Sequence, residues 1–120
     1  HGDEDIPYAF FAGTEGIEGY DENLAQLDKI FRESLSQITT EFSSEFGYEP
    51  STPDTVEMGI ATNCIAQHFN CLSLTLEMPF TDNKYQPDKL YGWSANRSKT
   101  LATDVIKALN EIVPQLTHTA

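Results

Sequence analysis

The chain has 120 residues, 39% of them hydrophobic and 11% aromatic, which is enough apolar side chain for a folded domain and excludes a mostly disordered segment. Its 7 Lys and Arg against 19 Asp and Glu give a formal charge of -12, so we expect neither nucleic acid nor an anionic membrane as a partner. No apolar run reaches the roughly 20 residues that a membrane-spanning helix needs. Cys64 and Cys71 are too few for a disulfide framework, and we expect two buried thiols in an intracellular protein.

The first part of the chain predicts a strand followed by a helix. Residues 6–12 form a continuous apolar and aromatic run, which is typical of a strand buried on both faces. From about residue 22 to residue 39, apolar residues recur every three or four positions, which predicts an amphipathic helix capped by Asp21. Residues 41–53 mix aromatic residues with Ser, Gly and Pro and predict an irregular loop.

The next two elements are predicted to be a second helix and a second strand. Asp54 followed by Glu57 resembles a capping box. The helix that it opens would bury one apolar face, formed by Ala61, Cys64, Ile65, His68 and Phe69. Residues 71–78 alternate between apolar and polar types, which predicts a strand ended by Pro79. One side of this strand carries Leu72, Leu74, Leu76 and Met78, and the other carries Ser73, Thr75 and Glu77.

A last helix is predicted after the possible cap residue Ser94, with Pro114 ending it and residues 115–120 as a frayed tail. Its apolar stripe is formed by Leu101, Val105, Leu109, Ile112 and Val113. The resulting order predicts an α/β fold in which helices flank a mixed, mostly parallel sheet. Two strands make a poor sheet alone, so residues 1–120 are expected to be part of a larger domain or to associate with another copy.

Two residues stand out as candidates for chemistry. Glu77 lies near the end of a core strand, where open α/β sheets place their ligand sites and where burial would raise its pKa toward that of a general base. Pairing with a cation, or exposure at the strand end, fits the same spacing. His1, close to acidic residues, has the side chain of a zinc ligand, although a solvated end of the chain fits equally. His68 is predicted to be a core histidine, and His118 an inert residue of the tail.

Three segments taken together resemble the C-terminal half of a zinc carboxypeptidase of the cytosolic-carboxypeptidase branch: HGDEDIPYAFFAGTEG, SLTLEMPF and YGWSANRSKTLA. The resemblance implies that His1 is one zinc ligand and that Glu77 is the catalytic base. The other zinc ligands and an arginine that binds the substrate carboxylate are then expected from the N-terminal half of the same domain. Tyr48 is the nearest match to the family's substrate-binding tyrosine.

The activity that this resemblance implies is zinc-dependent hydrolysis of the C-terminal peptide bond of a peptide or protein. It implies a cytoplasmic enzyme in which the full-length protein is active and this segment alone is inactive. Residues 33–83 contain no Lys or Arg, so a side-chain pocket built from them offers no cation for an acidic terminal residue.

Two other interpretations stay open at this point. The spacing of His1 and Glu4 resembles the first zinc motif of the aspartoacylase and succinylglutamate desuccinylase branch, in which His68 would be the third ligand. The other interpretation is a folded acidic interaction module that holds no metal.

Overall fold

A small sheet packs against two long helices in the computed structural model, which describes residues 1–116. The elements in chain order are strands β1 (Gly2–Asp3) and β2 (Phe10–Ala12), helices α1 (Glu22–Ile38) and α2 (Ala61–Phe69), strand β3 (Thr75–Pro79) and helix α3 (Ala95–Leu116). His118 lies outside the described residues. Among the described residues, no helix has both the length and the apolar character needed to cross a bilayer.

The sheet has the order β1-β3-β2, so β3 is its central strand. It pairs in parallel with β1, where Gly2 faces Met78, and antiparallel with β2, where Phe10 faces Glu77. This confirms a mixed α/β fold. The first predicted strand is shorter than residues 6–12, because Pro7 has no N–H for a ladder and the Tyr8 N–H turns back to the Ile6 carbonyl at 2.9 Å.

The predicted strand over residues 71–78 is shorter in the structure, where β3 begins at Thr75, but its two faces have different surroundings, as the alternation predicts. The core consists of buried side chains from β2, the two long helices and the loop after α1: Phe11, Phe31, Leu35, Phe42, Ala108 and Ile112. Leu72, Leu74 and Leu76 pack against this core. The opposite face carries Glu77, and with it the functional candidates.

The two long helices follow their predicted caps. The Asp21 side chain accepts the Leu24 N–H at 2.9 Å at the start of α1, and Ser94 Oγ accepts the Arg97 N–H at 3.3 Å at the start of α3. The prediction that Pro114 ends the last helix is wrong, because α3 continues to Leu116. Leu116 packs against the core, and this packing keeps the last turn helical beyond the proline.

The prediction for α2 is wrong in its start and in its buried face. The helix begins at Ala61, with Ile60 as an N-cap that makes no side-chain hydrogen bond, because residues 52–56 are held in a separate turn by Thr52. The face predicted to be buried is exposed: Phe69 is 68% exposed and Ile65 46%. His68 is therefore not a core histidine.

The two cysteines also depart from the prediction. Cys64 is exposed and Cys71 is half-buried, and both are free thiols. Cys64 lies on the same uncovered face of α2, which accounts for its exposure.

Candidate active site

His1 and Glu77 are in direct contact on one face of the sheet. The Nδ1 atom of His1 lies 3.0 Å from Oε2 of Glu77. The strand pairing causes this contact, because the His1 nitrogen donates to the Leu76 carbonyl at 3.2 Å and the His1 carbonyl accepts the Met78 N–H at 3.1 Å. The two backbone bonds bracket Glu77, so the side chain of His1 comes to lie beside it.

Glu77 is a buried carboxyl group with only 5% of its surface exposed. Burial is the main reason that its pKa is raised above the ordinary value, and the negative charge of Asp3 adds to the rise. Oε2 is engaged by His1, whereas Oε1 has no hydrogen-bond partner among residues 1–116. Glu77 thus offers one oxygen that is held in place and one that is free to accept a proton.

Asp3 and Tyr48 extend this face beyond the His1–Glu77 pair. Asp3 faces Pro79 in the sheet, so it lies on the same side as Glu77, and its Oδ2 accepts the hydroxyl proton of Tyr48. The bond from Tyr48 is the largest cause that lowers the pKa of Asp3. Burial, followed by the bond to Asp3, raises the pKa of Tyr48. The proton therefore stays on the phenol and Asp3 stays ionised.

A cleft of about 490 Å³ opens next to Tyr48. Thr75, two residues before Glu77 and on the same face of β3, lines it, as do Glu15 and residues 44–51. Arg32, on α1, also lines the cleft. It therefore brings a cation to this cleft, although residues 33–83 contain no Lys or Arg. Its guanidinium group is held by Asp28 at 2.5 Å and by the Phe11 carbonyl at 3.1 Å.

The three predicted site residues thus lie in one region. His1 touches Glu77, and Tyr48 bonds to Asp3 on the same face of the sheet. His1, Glu4 and His68, the ligands of the desuccinylase-like interpretation, do not come together. Within residues 1–116, no three His, Cys, Asp or Glu residues are placed to hold a metal ion. That interpretation is therefore wrong for these three residues.

The sequence does not reveal that Asp3 and Phe10 take part in this site. Asp3 is one of the acidic residues close to His1 in the sequence, and an Asp that precedes a turn by two or three residues is a common acceptor for the N–H groups of that turn. The apolar run of residues 6–12 predicts that Phe10 is buried, and its ring also meets the Tyr48 ring edge-on at 4.8 Å. No local pattern points to this contact, because Tyr48 lies in an irregular loop.

These features define a class of site in which a buried glutamate at the end of a central strand lies beside a histidine on the neighbouring strand. No family model matches the chain. An uncharacterized protein of Zymomonas mobilis is 41% identical over 116 residues, which are 97% of this chain and 30% of that protein.

Two solved structures have the same fold over almost the whole chain. A metallo-carboxypeptidase from Pseudomonas aeruginosa, in complex with (2-guanidinoethylmercapto)succinic acid, is 42% identical with a TM-score of 0.93, and the match covers 98% of this chain and 31% of that one. A metallo-carboxypeptidase from Burkholderia cenocepacia is 37% identical with a TM-score of 0.88, covering 95% of this chain and 30% of that one.

The chain is thus similar in sequence and fold to a portion of these metallo-carboxypeptidases. It spans about 30% of the length of the relatives that it matches, which is consistent with the C-terminal half of a carboxypeptidase domain. The cytosolic branch of the family stays a prediction.

Proposed function

We propose that this chain contributes the general base and one zinc ligand to an enzyme that hydrolyses the C-terminal peptide bond of peptides or proteins. In this proposal Glu77 is the base, His1 binds zinc and Tyr48 contacts the substrate. The observation that carries the proposal is the contact between His1 and the buried carboxyl group of Glu77 at the end of the central strand. Similarity to two metallo-carboxypeptidases at 37% and 42% identity supports it.

The described residues supply only part of the ligands that a zinc site needs. A zinc site in a hydrolase uses three protein ligands, and His1 can supply one imidazole nitrogen. If its Nδ1–H donates to Glu77, the other ring nitrogen, Nε2, carries the lone pair that a metal needs. The remaining ligands would come from outside residues 1–116. When bound, zinc would polarise the scissile carbonyl and make the attacking water more acidic.

Glu77 has the environment that a base in this reaction needs. Its raised pKa brings it closer to the working pH, which favours both taking up and releasing a proton. In hydrolysis the water oxygen forms a bond to the carbonyl carbon and the C–N bond breaks. Glu77 would take a proton from the water on Oε1 and return it to the leaving nitrogen, so the carboxylate is regenerated.

The arginine that binds the substrate carboxylate would also come from outside this chain. The chain contains two arginines, and both are committed to internal partners. Arg32 is held by Asp28 and the Phe11 carbonyl, and Arg97 by Glu41 and Asp82. The Pseudomonas aeruginosa relative is in complex with a molecule that carries two carboxyl groups and one guanidino group. A free carboxylate in the ligand agrees with a substrate that ends in one.

The N-terminal half of the same domain is the partner that this proposal requires. The uncovered apolar face of α2, which includes Ile65 and Phe69, is a surface that such a half would cover. We therefore expect the full-length protein to be active and the 120-residue chain alone to be inactive. The cytoplasmic location stays a prediction.

The variant Glu77→Gln in the full-length protein tests the proposal. The amide keeps the shape but cannot accept the proton, so kcat/KM on a C-terminal peptide substrate should fall by about 10²–10⁴-fold. Bound zinc and the unfolding midpoint should stay unchanged. Glu18→Gln, in the exposed loop after β2, is the matched control and should keep full activity. Near-normal turnover in Glu77→Gln would exclude Glu77 as the base.

A further inference from the structure

The cleft of about 490 Å³ opens directly from the strand that carries Glu77. Thr75 lines it and stands two residues before Glu77 on the same face of β3, so about 7 Å of strand separates the cleft from the buried carboxyl group. A peptide whose scissile carbonyl lies beside Glu77 can therefore place the side chain of its last residue in this cleft. The cleft has the volume of an ordinary small-molecule pocket.

Asn63 lines this cleft and presents a hydrogen-bond acceptor to it. The residue is only 7% exposed, and its Nδ2 donates to the Glu57 carbonyl at 3.0 Å. A carbonyl oxygen cannot donate, so the NH₂ end of the amide must face Glu57. The other end, Oδ1, accepts no hydrogen bond within residues 1–116, where no fully buried side-chain oxygen or nitrogen lacks a partner. Oδ1 is therefore open to the cleft.

The position of Asn63 relative to the catalytic strand is fixed by the residue before it. Thr62 Oγ1 lies 2.6 Å from Thr75 Oγ1, so one hydroxyl donates to the other and ties the first turn of α2 to β3. Both threonines line the cleft. Hydroxyl groups accept as well as donate, so this pair does not by itself select the charge of a ligand.

The carboxylate of Glu15 reaches the cleft from the loop after β2. It lies against Gly13, where a Cβ atom would be 2.5 Å from Oε2 and 2.9 Å from Oε1, so the missing side chain of glycine makes room for it. Glu15 is half-buried and forms neither a hydrogen bond nor an ion pair within residues 1–116. A carboxylate that is partly removed from water and has no partner favours the binding of a cation.

Arg32 also lines the cleft, but its charge is compensated inside the fold. Its Nε lies 2.5 Å from Asp28 Oδ1, and its Nη1 donates to the Phe11 carbonyl at 3.1 Å. The groups that lack partners in the cleft are then the carboxylate of Glu15 and the amide oxygen of Asn63. Both are acceptors, and one carries a negative charge.

We propose that this cleft receives the side chain of the substrate's last residue and selects a cationic one, with Glu15 and Asn63 as the residues that determine the preference. Glu15 supplies the opposite charge, and Asn63 supplies a second acceptor. A guanidinium group has five N–H donors in a planar fork and suits two acceptors that line one cleft. This inference rests on the proposed function and names its substrate class, which is peptides or proteins that end in a basic residue.

The experiment uses the full-length protein and two acylated dipeptides that end in arginine or in citrulline, which has the shape of arginine but a neutral urea group. The native kcat/KM should be about 10–100-fold higher on the arginine peptide, because citrulline cannot form a charged hydrogen bond to Glu15. Glu15→Gln should bring this ratio close to one while kcat/KM on the citrulline peptide stays native, which shows that the variant is folded. Glu18→Gln, three residues later in the same loop and exposed, is the matched control and should keep the native ratio.

Three outcomes would overturn the inference. The first is a native enzyme that treats arginine and citrulline peptides alike. The second is a native enzyme that prefers a terminal glutamate to a terminal glutamine, which would mean that Arg32 sets the preference. The third is a folded Glu15→Gln enzyme that keeps the native ratio. The first two need no variant, so the inference stays falsifiable even if Glu15→Gln does not fold.

Failure of this inference is distinguishable from failure of the proposed function. A native enzyme that hydrolyses both peptides equally, and is inactivated by Glu77→Gln, loses only the preference for a cationic residue. If Glu77→Gln is fully active on the same peptides, or if the native protein hydrolyses no peptide from its C-terminal end, the proposed function itself fails.

Discussion

Arg97 and Glu41 form a bidentate ion pair although 56 positions separate them in the chain. Arg97 Nε lies 3.0 Å from Glu41 Oε1, and Arg97 Nη2 lies 2.7 Å from Glu41 Oε2. The same guanidinium group donates to Asp82 at 2.9 Å and to the carbonyls of Gln86 and Gly92. One side chain on α3 therefore fastens the segment after α1 to the loop that follows the Glu77 strand.

The first prediction concerns this guanidinium group. Arg97→Lys keeps the charge but cannot reproduce the planar fork, so several acceptors lose their donors. We expect the free energy of unfolding to fall by about 1–3 kcal/mol, measured by urea denaturation. Lys107→Ala removes an exposed cation that lies 3.7 Å from Asp104 and should cost less than about 1 kcal/mol. Equal losses of unfolding free energy in the two variants would mean that the guanidinium group of Arg97 contributes no more than a surface ion pair.

The second prediction concerns the acid sensitivity of Asp82. Burial acts to raise its pKa, but hydrogen bonds from Arg97 and from the backbone N–H groups of Asn83 and Asp88 outweigh burial and hold the pKa below the ordinary value of 3.8. A carboxyl group with a lowered folded-state pKa stabilises the fold above its unfolded pKa. This stabilisation is lost as the pH falls through the folded-state value.

Asp82→Asn should therefore be less stable than the native chain at neutral pH. The difference in unfolding free energy should shrink between about pH 4 and pH 2, because the native chain loses its advantage there. Urea denaturation at a series of pH values measures the difference. Asp54→Asn, in the exposed turn before α2, changes the charge equally and is the matched control. If the difference in unfolding free energy between Asp82→Asn and the native chain stayed constant with pH, it would contradict a lowered pKa of Asp82 in the folded state.

Elements whose signals lie within a few residues could be predicted from the sequence. The cap of α1 by Asp21 and the two-sided pattern of residues 71–78 both hold in the structure. The two-residue strand β1 could not be predicted, because two residues carry no periodicity. The prediction of a buried face on α2 was wrong for a different reason. Helical periodicity identifies an apolar face, but it does not say whether the partner of that face belongs to the same chain.

The candidate site could be predicted only in part. The resemblance pointed to His1 and Glu77, and the strand register brings them into contact. Their contact depends on a pairing between residues 76 positions apart, which no local pattern encodes. The bond between Tyr48 and Asp3 is also non-local, and it starts from an irregular loop whose path is set by Gly47 and Phe10.

The third prediction concerns metal binding by the full-length protein. If His1 is a zinc ligand, His1→Ala should weaken zinc affinity by about 100-fold or more, since even residues that only orient a ligand contribute about 10–100-fold. Equilibrium dialysis with zinc measures the loss. His68→Ala removes a histidine of α2 that has no contact with Glu77, and it should leave the affinity unchanged. The reverse pattern, in which only His68→Ala loses zinc, would rule out His1 as the ligand.

The fourth prediction concerns the uncovered face of α2. Phe69 is 68% exposed in this chain, so Phe69→Ala should change the unfolding free energy of the 120-residue chain by less than about 0.5 kcal/mol. In a protein of the relatives' length, we expect this face to be covered by the N-terminal half. The same variant should then cost about 3–5 kcal/mol, because it leaves a cavity. Phe42→Ala, at a position 1% exposed, is the matched control and should be costly in both proteins. If Phe69→Ala is equally harmless in both, the α2 face is not where the two halves meet.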